Sequence, residues 1–176
     1  TVFNANQCEL PPSLTEKIKA NLKRKEHDPI ASAQALADGM PSPPAIQHGK
    51  NRAAYRPSDD TVTMPDLGSF ERPEEYHSVL FHELVHSTGH GSRLDRAGVT
   101  ETITFGSATY SREELVAELG AAYLCAVAGI VETTLENSAA YCQNWIARLK
   151  GDSKLIVQAS ASAQKAADYI QGRNGT

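Results

Sequence analysis

A chain of 176 residues, 40% of them hydrophobic, is long enough for one ordinary domain with a buried core. Its formal net charge of -4 and pI near 5.8 exclude a globally basic surface that would hold nucleic acid by charge alone. No apolar run approaches the ~18 residues that a membrane-spanning helix needs, and the opening TVFNANQCEL has neither the charged nor the apolar region of a signal peptide.

That opening also lacks an initiator Met, which reads as a processed product or a piece of something longer. PPSLTEKIKANLKRKEH predicts a first helix, with Ser13 as cap, Glu16 three residues on, and Leu14, Ile18 and Leu22 at helical spacing. Its five positive charges between Lys17 and Lys25 read as a solvated face. DPIASAQALADG predicts a second helix, opened by Pro29 after Asp28 and stopped by Gly39. MPSPPAIQHG reads as a connection whose prolines forbid regular structure. AAYR and TVTM flank the turn chemistry of PSDD, which predicts a hairpin ending before Pro65.

From Pro73 the pattern turns helical again: PEEYHSVLFHELVHSTG, with glutamates in the first turn and Gly89 as the stop. A Gly/Thr/Ser-rich loop follows to about Tyr110, then a helix from Ser111 to Gly129. ENSAAYCQNWIARLKG and DSKLIVQASASAQKAADYIQG predict two more, the second capped by Asp152. Trp145 reads as core on its helix, and Gln158 and Gln164 as polar surface or a buried amide network. The sum, about six helices and one small strand region, is an α-rich α+β fold rather than a doubly wound sheet. It reads as one domain, with 1–45 a helical lead-in and 46–176 the core. Cys8, Cys125 and Cys142 are too few and odd in number for a disulfide framework and fit a reducing compartment.

HELVHSTGHG carries the chemistry. His82 and His86 stand four apart, on one face of a helix, where two imidazoles can share one Zn2+. Glu83 lies about 100° round the helix and can reach a water at an open metal position without occupying it, as a general base must. Val79, Leu80, Phe81, Leu84 and Val85 make this helix apolar nearly all round, so it should be buried. A buried helix carrying two histidines and a glutamate needs partners for them, and a metal ion supplies those.

A catalytic zinc takes a third protein ligand and keeps one position open. The extension H-E-x-x-H-x-x-G-x-x-H fails here, because Ser92 stands at its last position. His90 is left as a substrate-facing residue or a surface histidine after the helix end. EELVAE offers Glu114 and Glu118 on one stripe of an otherwise apolar helix. Glu114 as ligand and Glu118 as acceptor for a histidine N–H would satisfy both. The competing reading is a capping box, SREE, with Ser111 as cap and Glu114 at its third position. Glu118 is then the next ligand candidate and Glu113 the last.

Four stretches in order, AAYRPSDDTVTMP, HELVHSTGHGSRLDR, YSREELVAELGAAYLCAVAGI and KLIVQASASAQKAADYI, resemble the zincin-like metallopeptidase domain of ArdC-type antirestriction proteins. The same domain closes the TraC-type primases of conjugative plasmids. The resemblance covers nearly the whole chain. It implies a zincin-like, gluzincin fold and a C-terminal domain only, since a single-stranded-DNA-binding domain precedes it in that family. It further implies a cytoplasmic bacterial protein of plasmid origin, carried into recipient cells or protecting incoming DNA there. The E-x-x-A-acid pattern is similar to other gluzincins, and that likeness makes Glu114 the ligand and Glu118 its support.

These readings converge on a zinc-dependent endopeptidase acting on a protein or peptide substrate. His82, His86 and Glu114 hold Zn2+, though the donor set also accepts Mn2+ or Fe2+. Glu83 is the base, the strand near Tyr55 to Met64 pairs an extended peptide, and His90 or Tyr110 stabilises the oxyanion. One rival is a metal-stabilised interaction domain without proteolysis. Another is a nucleic-acid-binding module built on Lys17 to Lys25, which the acidic pI disfavours.

Overall fold

The computed structural model describes Pro11 and residues 28–100, 106–148 and 152–173. The first expected helix, the Lys17–Lys25 run and Cys8 lie outside these residues. Among the described residues the order is α1 (Ala31–Asp38), β1 (Ala45–Gln47), β2 (Ala54–Arg56), β3 (Thr61–Thr63), a 3-10 turn (Leu67–Ser69), α2 (Pro73–Thr88), α3 (Ala97–Thr100), α4 (Ala108–Ala128), α5 (Val131–Arg148) and α6 (Ser153–Ile170). The α-rich α+β expectation holds. No helix among the described residues is long and apolar enough to cross a membrane.

The sheet has the order β1-β3-β2, with β1 parallel and β2 antiparallel to β3. The expected hairpin is present, Tyr55 opposite Val62. β3 is buried along its length, which is why TVTM carries a valine and a methionine that are both fully covered. β1 was not expected. A proline blocks pairing only where it stands, and the three residues after Pro44 keep their N–H groups. Gln47 O accepts from Met64 N at 2.8 Å, and Ala45 N donates to Asp60 O at 3.1 Å.

α4 is the central helix and packs against α2, α5 and α6. Leu115, Val116, Ala117, Ala121, Leu124 and Cys125 bury its faces. Burial of each large side chain contributes about 1.5–3 kcal/mol. α6 packs against α4, and its small residues Ala159, Ala163, Ala166 and Ala167 are all fully buried. The α2–α4 contact turns on Gly120, where an added Cβ would lie 2.8 Å from Val85 Cγ2. Only glycine permits that approach.

Several helix starts differ from expectation. α4 begins one turn earlier than Ser111, because the Ser107 hydroxyl accepts from Tyr110 N at 3.2 Å and so caps it. Ser111 is inside the helix and 2% exposed, so the capping box fails. α1 begins after Pro29, at Ala31, and the N–H of the residue before it is met from afar: Ile30 N donates to His77 Nε2 at 3.1 Å. α5 begins at Val131, one residue beyond Gly129, whose φ of 78° ends α4 in the left-handed conformation, with Ile130 between them. Asp152 caps α6 as expected, accepting from Lys154 N and Leu155 N. Cys125 and Cys142 are free thiols. Gln158 is exposed and Gln164 bonds Asp168 on the surface, while Trp145 packs against the core.

Candidate metal centre

α2 owes its position to Pro73 at its first turn, Glu74 and Glu75 beside its N-terminus, and Gly89 at its end. It presents His82 and His86 toward α4. Their Nε2 atoms face each other at 3.1 Å, with the rings 78° apart. Two such nitrogens need a proton or a cation between them. Glu114 Oε2 lies 3.7 Å from His82 Nε2, and Oε1 lies 3.8 Å from His86 Nε2. Three donor atoms, one from each residue, fall within 4.8 Å of one another. Donors at about 2.1 Å from a tetrahedral ion stand ~3.4 Å apart, so the set fits one divalent cation.

The opposite nitrogens are also engaged. His82 Nδ1 is 3.5 Å from Glu118 Oε1, and His86 Nδ1 is 3.3 Å from Glu113 Oε1. A carboxylate at Nδ1 selects the Nδ1–H tautomer and leaves the Nε2 lone pair for a metal. One helix therefore supplies all three carboxylates. Glu114 and Glu118 share a face four residues apart, and Glu113 reaches His86 from the neighbouring face.

The electrostatics suit a cation. Burial lowers His82 to about 3, with His86 adding repulsion, so His82 stays neutral. Burial also disfavours charge on His86, yet Glu113, Glu83 and Glu114 together lift it above its ordinary value. Burial, then Glu114, raises Glu118 to about 7. The surrounding carboxylates thus favour positive charge at His86, while burial and His86 itself disfavour it at His82.

Glu83 is 8% exposed, and its Oε2 accepts from Tyr55 N at 2.7 Å. Burial raises its carboxyl above the usual range. It sits in an open cleft of ≈ 510 Å³ with His82, His86 and Glu114. One side is lined by Arg52 and Ala53 and by Ala54 and Tyr55 of the edge strand β2. The other is lined by Gly98, Val99 and Tyr110. Tyr110 is therefore in the cleft, its ring edge-on to Trp145 at 5.7 Å. His90 is not among the cleft's lining residues, and its Nδ1 pairs with Ser92 Oγ at 2.8 Å.

Two arginines that sequence reasoning passed over frame the site. Both lie in HELVHSTGHGSRLDR, three apart, just past the end of α2. Arg93 Nε donates to Ser87 O at 2.8 Å, and its guanidinium grips the Asp60 carboxylate. Arg96 donates to Val85 O at 2.7 Å and to both oxygens of Glu113. Cations at a helix C-terminus satisfy its last carbonyls and its dipole, which is the signal that was available.

Known proteins resemble this chain in sequence and in fold. A family described as zincin-like metallopeptidase, MPTase-PolyVal, matches residues 33–162. A DNA primase TraC of Escherichia coli is 40% identical over 172 residues, covering 97% of this chain and 15% of the primase. The Mn(II)-bound crystal structure of the antirestriction protein ArdC from plasmid R388 matches with a TM-score of 0.65 and 37% identity. That match covers 84% of this chain and 53% of ArdC. The metal-free ArdC structure gives 0.61 and 33%, over 97% of this chain and 58% of ArdC. The chain thus spans little more than half of ArdC and a small part of the primase.

Proposed function

The chain belongs to the MPTase-PolyVal family of zincin-like metallopeptidases, and from that membership we propose that it is the zinc-dependent endopeptidase domain of an ArdC-like antirestriction or conjugation protein. The observation that carries the reading is the convergence of His82, His86 and Glu114 within 4.8 Å on the wall of a cleft that also holds Glu83.

In this reading His82, His86 and Glu114 hold one Zn2+, and Glu118 and Glu113 fix the two imidazoles. The ion supplies Lewis acidity to a carbonyl and to water. Glu83 takes the proton of the attacking water and delivers it to the leaving amine as the C–N bond breaks. Tyr110, which lines the cleft, donates to the carbonyl oxygen as it gains charge. An extended peptide lies along β2, where backbone groups bind it with little sequence preference. Tyr55 N is already held by Glu83, and Pro57 offers no N–H, so that edge recognises few residues. Contact with single-stranded DNA would come from regions outside this chain, and the working compartment is the bacterial cytoplasm.

Metal content of purified wild type, Glu114→Ala and Glu118→Ala tests the centre. About one zinc per chain, lost in Glu114→Ala and retained in part by Glu118→Ala, supports it. A wild type that cannot be loaded overturns it. If Glu83→Gln keeps its metal and its full effect in cells, the domain acts by binding rather than hydrolysis.

A further inference from the structure

We infer that Arg96 is a positioning residue for the metal centre, acting on His86 through Glu113. The inference rests on the proposed metal reading and deepens it.

Arg96 sits where three elements meet. Its backbone opens α3, accepting from Val99 N at 2.8 Å and Thr100 N at 3.1 Å, while its own N–H donates to Gly89 O at 3.0 Å. Its side chain turns inward and is 12% exposed. One guanidinium nitrogen donates to Val85 O at 2.7 Å and another to Thr88 Oγ1 at 2.6 Å, both on α2. The Nη2 that meets Val85 O also clasps Glu113 on α4 together with Nε, Nε to Oε2 at 3.1 Å and Nη2 to Oε1 at 2.7 Å. A planar fork holds a carboxylate in one orientation, which a lysine ammonium does not.

Glu113 is confined on its other side as well. An added Cβ at Gly98 would lie 2.8 Å from Glu113 Oε2 and 3.0 Å from its Cβ. Held by Arg96 and walled by Gly98, the carboxylate presents Oε1 to His86 Nδ1 at 3.3 Å. An imidazole turns freely about its Cβ–Cγ bond unless one nitrogen is anchored. Anchoring Nδ1 aims Nε2 at the ion.

The two histidines are not treated alike. Glu118 faces His82 Nδ1 at 3.5 Å, and no basic side chain among the described residues holds Glu118 in turn. Both imidazoles thus meet a carboxylate, but only the one at His86 is itself clasped by a guanidinium, that of Arg96.

The test is zinc affinity at pH 7, by competition with a chromophoric chelator, for wild type, Glu113→Gln, Arg96→Lys and the double variant. Each thermal midpoint is also measured in EDTA. The expected result is a 10–100-fold weaker zinc affinity in either single variant. The double variant should be no weaker than Glu113→Gln alone, because Arg96 acts through Glu113. Co2+ should bind the variants with an altered visible spectrum, a change that general loosening of the fold does not produce. Zinc affinity within about twofold of wild type in Glu113→Gln overturns the inference, even where Arg96→Lys fails to fold. Losses that add in the double variant, or that match a fall in the EDTA midpoint, also overturn it and leave Arg96 a structural cap of α2. A wild type that takes up no metal removes the metal reading itself.

Discussion

The backbone amide of Tyr55 donates to Glu83 Oε2 at 2.7 Å, joining the sheet's edge strand to the carboxylate between the two histidines. The link belongs to a closed circuit. The Tyr55 hydroxyl donates to Asp60 at 2.9 Å, Asp60 is held by Arg93, and Arg93 returns to Ser87 O on α2, one turn past Glu83. Strand and helix are thereby braced at a set separation, and Glu83 stands in the gap.

Glu83→Gln should keep this brace, since the amide oxygen still accepts from Tyr55 N. It should lose proton transfer. Peptide hydrolysis is expected to fall about 100-fold or more at unchanged metal content, read by fluorogenic peptide turnover beside elemental analysis. Equal turnover would remove Glu83 from the mechanism.

Tyr55→Phe deletes one hydrogen bond and should cost about 1 kcal/mol in urea unfolding. Arg93→Ala should cost more, about 1.5–3 kcal/mol, because its side chain is 1% exposed and Ser87 O, Ser42 O and Asp60 all lose their donor. A smaller loss for Arg93→Ala than for Tyr55→Phe would show that the circuit is not closed through Arg93.

Asp60 makes the brace sensitive to acid. Burial alone would raise its carboxyl, but Arg93 and the Tyr55 hydroxyl outweigh burial and hold it below its ordinary 3.8. A carboxyl depressed by folding stabilises the native state above its unfolded pKa, and that contribution disappears as pH falls through the folded value. The stability gap between wild type and Asp60→Asn should therefore be full near pH 6. It should close below about pH 3.8. Urea unfolding at both pH values measures it, and a gap independent of pH would contradict the assignment.

Gly120→Ala places a methyl against Val85 and should cost about 1–3 kcal/mol by overpacking. It should also weaken zinc binding, because it pushes His82 and His86 away from Glu114. Adding Val85→Ala should restore most of both losses. Independent, additive effects of the two changes would show that this contact does not set the helix separation.

Zinc should raise stability by mass action. With free zinc at 100 times its Kd, the gain is about 2.7 kcal/mol. EDTA should reverse the gain and Glu114→Ala should abolish it, as read by the thermal midpoint. An unchanged midpoint in zinc would count against a folded-state site.

Much of the centre is local and was legible in the chain. His82, Glu83 and His86 follow one another on a single helix, and Glu114 and Glu118 on another, so helical periodicity alone assigns their faces. Gly89, Gly129 and Asp152 mark helix ends by backbone chemistry that does not depend on distant partners. β1 escaped notice because three residues carry no periodicity, and their pairing partner is β3, the far strand of the hairpin. The start of α1 fell two residues past Pro29, where Ile30 N donates to His77, 47 residues away.

Sequence by itself therefore determined which residues could hold a metal and which helix faces they occupy, because faces follow from the 3.6-residue turn of each helix. Only the tertiary structure decided which face meets which. The Gly120–Val85 approach sets α4 beside α2, and that placement gives Glu113 to His86 and Glu118 to His82. Arg96 and Glu113, 17 residues apart, and Tyr55 and Glu83, 28 apart, meet for the same reason. Such pairs have no signature in spacing, since side-chain packing and the satisfaction of buried charge bring them together only when the whole chain folds.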